Sequence, residues 1–121
     1  MPSTPQQTLG RYGESLAAQH LSTLGYTIHA RNWHCPQGEL DLVAHDGTEW
    51  VFVEVRTRRA PDTNTAIESV TPAKQARVLA AAEAYIEAHS LEEQPWRVDL
   101  VVIALTRHGR RIEVIRNAAD W

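Results

Sequence analysis

Apolar and polar positions alternate most clearly in two β-rich runs, 38–44 and 50–56, separated by the polar stretch His45-Asp46-Gly47-Thr48-Glu49. Asp-Gly between alternating apolar residues predicts a hairpin. Alternation puts Leu40, Leu42 and Ala44 on one face and Glu39, Asp41 and Val43 on the other. On the return run Val51, Val53 and Val55 share one face, and Trp50, Phe52, Glu54 and Arg56 share the opposite one. If the loop is Asp46 to Glu49, Val43 comes opposite Phe52, Asp41 opposite Glu54 and Glu39 opposite Arg56. A tighter loop leaves Asp41 and Glu54 as diagonal neighbours, whereas a one-residue slip separates them.

The remaining elements follow from their end signals. Thr4 as cap, Pro5 in the first turn and Gln7 closing a capping box open a helix, with Thr8 as an alternative cap. Leu16, Ala17, Leu21 and Leu24 form its apolar stripe and Gly25 stops it. Gly10 and Gly13 weaken this helix unless another chain segment passes close by. Tyr26 to Trp33 reads as a strand and Cys35 to Gly38 as a loop leading into the hairpin. Arg58 to Thr65, with Pro61 and Asn64, reads as a mobile loop. Thr71-Pro72 caps a second helix whose Val78, Leu79, Ala82, Tyr85 and Ile86 face the core. Trp96 to Leu105 is apolar except for Arg97 and Asp99, as in a strand covered on both faces, and Asp99 there requires a partner, in a structural salt bridge or a cap ahead of a role in the site. Arg111 to Ile115 makes a final edge strand, followed by a tail to Trp121. Strands on both sides of a long helix imply a crossover, hence an α/β fold with a mixed sheet flanked by helices.

Length and composition narrow the classes. A chain of 121 residues forms one domain, 1–121. The longest apolar run, interrupted by Asp99, is too short to span a membrane, and the first residues lack the basic and apolar regions of a signal peptide. The single Cys35 forms no internal disulfide, so a cytoplasmic protein is expected. His34-Cys35 lacks the further ligands of a structural zinc site. A formal net charge of −3 argues against a bulk electrostatic nucleic-acid binder. The charges are nonetheless segregated. Arg56, Arg58 and Arg59 follow the acidic hairpin end, Lys74 and Arg77 open the second helix, and Arg107, Arg110 and Arg111 flank a turn.

Carboxylates on a buried face are costly unless paired or bound to a cation, and directly opposed like charges destabilise a strand pair. Asp41 and Glu54, about 5 Å apart at Cβ, suit a shared divalent ion. Glu14, on the edge of the first helix's apolar stripe beside two glycines, leans toward the same region.

An acidic residue on a first helix, then Asp, then Glu-x-Lys on the next strand resembles the restriction-endonuclease-like superfamily, including the small archaeal Holliday-junction resolvases. More narrowly, Gly10-x-x-Gly13-Glu14, Gly25-Tyr26, Arg31-Asn32-Trp33, Gly38-Glu39-x-Asp41, 51–56 (Val-Phe-Val-Glu-Val-Arg), Ser69-Val70 and Arg97-Val98-Asp99 resemble the YraN family of small bacterial proteins, over nearly the whole chain. The resemblance implies the superfamily's α-β-β-β-α-β-β order and a metal-dependent nuclease acting on branched, flapped or single-stranded DNA. Mg²⁺ or Mn²⁺ would be held by Glu14, Asp41, Glu54 and the Val55 carbonyl. Arg56 stands where the superfamily has its lysine; arginine stays protonated and cannot act as a general base. Arg56, Arg58, Arg59, Lys74 and Arg77 would hold the DNA backbone, with Lys74 a substitute source of the ammonium group and Glu39 a partner neutralising Arg56. The departure at Arg56 leaves open an alternative, a nuclease-fold module that binds nucleic acid without cleaving it. A homodimer is expected from the resemblance to resolvases alone.

Overall fold

A computed structural model describes residues 2–117. Met1 and the tail at 118–121, including Trp121, lie outside the described residues. The elements run α1 (Pro5–Thr23), β1 (Thr27–Cys35), β2 (Gly38–His45), β3 (Trp50–Arg59), α2 (Thr63–Ile67), α3 (Pro72–Ala88), β4 (Trp96–Thr106) and β5 (Gly109–Ile115). The sheet order is β1-β2-β3-β4-β5, and β3 and β4 form its parallel pair. The α3 crossover joins them, so the sheet is mixed, as the element order requires.

Both long helices begin where the cap signals place them. Thr4 and Gln7 exchange the two bonds of a capping box, and Thr71 accepts from the Lys74 amide in front of Pro72. Gly25, at φ +92, turns the chain out of α1. Leu24 is exposed beyond the stripe to which its spacing assigns it.

Three expectations change. β1 runs on to Cys35 and turns at Pro36-Gln37, so β1 and β2 form a hairpin of their own with Cys35 opposite Gly38. The segment read as a loop from Arg58 contains the end of β3 and the short helix α2. Asp62 caps α2 by accepting from Thr65, and Ala66 buries against Leu100 and Val102. Five residues carry too little periodicity to be seen in the sequence. The third change lies in β2. Leu42 and Ala44 pack with Val51 and Val53 in the core layer that contains Ala17 and Leu21 of α1. Leu40 instead joins Val43 and Phe52 in the layer that contains Val78, Ala82 and Tyr85 of α3. Strict alternation therefore fails between Leu40 and Leu42. The break lies opposite Asn32, whose φ of 50 is left-handed.

The β2–β3 register is the one a loop from Asp46 to Glu49 gives: His45 pairs with Trp50, Val43 with Phe52 and Leu42 with Val53. A buried ionic hub holds that register at the turn. Arg97, on β4, donates through Nη1 to Asp46 (2.6 Å) and Glu49 (2.7 Å), through Nε to Asp99 (3.0 Å), and through Nη2 to the Tyr26 hydroxyl (2.8 Å). Asp99, wholly buried, also accepts from the Asn117 amide at 3.0 Å. The partner that Asp99 requires is therefore structural. Bonds from Arg97, the Glu49 amide and Thr48 outweigh the cost of Asp46's own burial and hold its carboxyl well below the usual range.

Candidate functional site

The ladder between β2 and β3 stops at Leu42–Val53, and the strands splay beyond it. Asp41 and Glu54 follow immediately, their carboxyls near enough to hydrogen-bond each other. The Val55 amide, left without a β2 partner, donates to Asp41 Oδ2 at 2.8 Å. Glu14 comes in from α1, and oxygens of Glu14, Glu39 and Asp41 all lie within 4.8 Å of one another. Four carboxylates from a helix and two strands thus meet at one end of the hairpin. Glu39 is the one that the sequence pairs with Arg56 instead. It is not opposite Arg56; it faces His34 across β1, at 3.8 Å. The splay that ends the ladder removes the predicted Glu39–Arg56 pair.

Gly13 and Asn32 are two further positioning residues. A Cβ at Gly13 would overlap the Thr57 hydroxyl and stand 2.8 Å from Thr57 Cβ, so glycine is what lets α1 lie on β3 and brings Glu14 to the strand ends. We expect Gly13→Ala to cost roughly 1–3 kcal/mol by overpacking and to weaken any ligand binding that uses Glu14; urea denaturation and a metal titration measure the two effects. The Asn32 side chain hydrogen-bonds Glu14 from its left-handed position on β1, a conformation asparagine adopts more readily than most residues. Gly10 has open space around it and lines the cleft, so no close approach explains it.

Burial dominates the protonation of the cluster. Burial first, then the Glu54 charge, pushes Asp41 from 3.8 up to about 8. Burial also raises Glu54, and burial followed by Asp41 raises Glu14. Between pH 3.8 and about 8 the folded chain keeps a proton on Asp41 that the unfolded chain has released. This stabilisation is therefore complete below the lower value and is lost as pH rises through the upper one. In EDTA, stability should fall as pH rises across that window, by at most about 1.4 kcal/mol per pH unit. A thermal series at fixed ionic strength measures it, and a flat profile would show that Asp41 is not raised in the folded chain.

Cations line the walls. Arg56 is buried and donates from Nη2 to Glu54 Oε1 at 3.1 Å, while its Nε has no partner among the described residues; neither does the buried Thr57 hydroxyl. Both residues, with Arg58, line a cleft that contains Glu14, Asp41 and Glu54. On the other side of the carboxylates Lys74 and Arg77 line a second cleft of about 410 Å³ with Glu39, Asp41 and Glu54. Gly38 passes there close to the α3 backbone, where a Cβ would be 2.9 Å from the Arg77 carbonyl oxygen. Burial, then the charges of Arg56 and Arg58, lower the Lys74 pKa, with Glu54 opposing them. Of the five basic residues assigned to the DNA backbone, Arg59 alone lines neither cleft and is exposed at the end of β3.

Residues 13–103 match the model of a family described as uncharacterised protein family UPF0102. The chain belongs to this family. It is the YraN family that the motifs resemble. A UPF0102 protein of Chloroflexus aurantiacus is 52% identical over 110 residues, covering 90% of this chain and 88% of its own. One from Dehalococcoides mccartyi is 46% identical over 109 residues, covering 90% of each chain. A third, from Stutzerimonas stutzeri, is 44% identical over 115 residues, covering 94% and 96%. No helix among the described residues is long and apolar enough to cross a membrane.

Proposed function

We propose that this UPF0102 chain is a metal-dependent nuclease that hydrolyses phosphodiester bonds of structured DNA, branched, flapped or single-stranded. The observation that carries the reading is the meeting of Glu14, Glu39, Asp41 and Glu54 at one splayed strand end, where burial and the Glu54 charge push Asp41 up to about 8. The donors are all hard oxygens, which fit Mg²⁺ or Mn²⁺ rather than softer ions. The element order and the positions of Asp41 and Glu54 are also similar to those of the restriction-endonuclease-like superfamily.

Asp41 and Glu54 would hold the ion with the Val55 carbonyl, and Glu14 and Glu39 would complete the shell directly or through water. When bound, such an ion supplies the positive charge that activates water and offsets charge on the phosphate and leaving oxygen. The chain's own residues then position the substrate. Arg56 lines the cleft beside the carboxylates, and its guanidinium is suited to a phosphate oxygen. Arg58 adds charge beside it, and Lys74 and Arg77 hold the backbone from the α3 side. Lys74, set near Glu54 with its pKa lowered, is the amine placed to orient the attacking water in the absence of a lysine at Arg56.

One contact favours a second reading. The Arg56–Glu54 pair at 3.1 Å neutralises part of the charge that a metal would neutralise, as in a module that binds nucleic acid without cutting it. Incubation with Mn²⁺, then Mg²⁺, and labelled duplex, single-stranded, flap and four-way-junction DNA separates the two. Cleavage that needs the ion supports the nuclease; DNA binding with no product under either ion supports the module.

A further inference from the structure

Beyond the carboxylates, the cleft does not end. Its wall at Leu9 continues into a second concavity between the first turns of α1 and the end of β3, lined by Leu9, Tyr12, Arg59 and Leu105 among others. That concavity in turn shares Arg59 and Leu105 with a third, under the β4–β5 turn, where Arg107, His108 and Arg111 stand over an apolar floor of Pro61 and Leu105. Through these shared lining residues the three concavities follow one another from the acidic site to the tip of the β4–β5 hairpin, and we treat them as one groove. From Glu54 to Arg59 it follows five residues of β3, roughly 16 Å.

Its chemistry changes along the way. The inner segment holds Glu14, Asp41 and Glu54, whereas no acidic residue lines the outer two. Arg59, Arg107 and Arg111 are exposed, and none of them has an ion-pair partner within 4.0 Å among the described residues. Tyr12 is 45% exposed beside them, its hydroxyl accepting from Arg110 at 3.3 Å. Much of the chain's acid, at Glu83, Glu87, Glu92 and Glu93, lies elsewhere, on α3 and after it, which is how a protein of net charge −3 presents a cationic channel.

We infer that this outer groove binds one unpaired strand of nucleic acid, leading it to or from the carboxylate site. Arginines over an apolar floor with an exposed aromatic suit backbone phosphates together with unstacked bases, and a duplex hides the base faces that such a floor would take. The inference rests on the nucleic-acid reading of the carboxylate site and adds to it the path of the strand and the residues Tyr12, Arg107 and Arg111.

The test is fluorescence anisotropy with a labelled oligothymidylate of twenty nucleotides in EDTA, so that cleavage and metal binding play no part. The wild type is compared with the Arg107→Ala, Arg111→Ala double variant, whose two sites are exposed, with circular dichroism as the folding check. At least tenfold weaker binding by the variant is expected. Its slope of log affinity against log salt should fall by about 1.4 for two lost phosphate contacts, and affinity for a duplex of the same length should change less than twofold. Unchanged single-strand affinity in the variant, equal losses on duplex, or no single-strand binding by the wild type would each overturn the groove. Metal-dependent cleavage of a junction by a protein that fails this test would leave the nuclease reading standing and remove only the groove. Strand binding that depends on Arg107 and Arg111, with no cleavage under Mn²⁺ or Mg²⁺, would keep the groove and remove the nuclease.

Discussion

Replacing Arg97 with leucine should cost about 3–5 kcal/mol, the usual penalty for stranding one half of a buried ion pair. That is a large share of the roughly 5–15 kcal/mol by which a domain is stable at all. The reason lies in Asp99. It is wholly buried, and Arg97 Nε is its charged partner. Asp46 and Glu49 are nearer the surface and can regain water, so most of the penalty falls on Asp99. Urea denaturation of the single variant measures the loss. A second variant, Arg97→Leu with Asp99→Leu, separates causes: recovery of most of the stability would show that a stranded charge is responsible, and no recovery would show that the bonds to the turn and Tyr26 matter more. The hub bears on the site as well. It fixes the hairpin at the turn, and a one-residue slip there would carry Asp41 and Glu54 to opposite faces. Arg97 is therefore a positioning residue for carboxylates at the other end of the same hairpin.

How much of this was legible in the sequence depended on the range of the interaction. The Thr4 and Thr71 caps, the Asp46–Glu49 loop and the apolar run of β4 are local signals, and the structure follows them. The meeting of Asp41 and Glu54 was legible too, because loop length sets the register up to Leu42–Val53, one step before them. What failed were local irregularities with no sequence period. Asn32 takes a left-handed conformation opposite the point where β2 changes faces, moving Leu40 into the α3 layer. The ladder ends after Val53, so Glu39 turns to the carboxylates and to His34 rather than to Arg56. Gly13 was flagged as needing a close neighbour, but only the fold identifies that neighbour as Thr57. The groove past Arg59 was legible only as three arginines flanking a turn, because the parallel pairing of β3 with β4 brings them together.

Glu54→Gln should eliminate metal-dependent cleavage, by a hundredfold or more, while leaving the protein as stable as the wild type or more stable in EDTA. The two effects have one cause. In the folded chain Glu54 is buried against Asp41; burial raises both carboxyls, and the Glu54 charge raises Asp41 further, while the hydrogen bond from Asp41 and the nearby Arg56 lower Glu54. The amide keeps the shape and removes one of the two charges. It also loses the attraction to Arg56 at 3.1 Å, a partial offset that keeps the expected gain small. With Glu54 neutral, Asp41 should titrate lower, so the fall in stability between pH 4 and 8 should flatten in the variant. Addition of Mn²⁺ should raise the melting temperature of the wild type and leave the variant's unchanged, because a ligand stabilises only the state that binds it. A destabilised variant with intact metal binding would mean that Glu54 serves Arg56 and not a cation. The cluster would then be an ion-pair network, and the function of this surface would lie in the arginines that surround it.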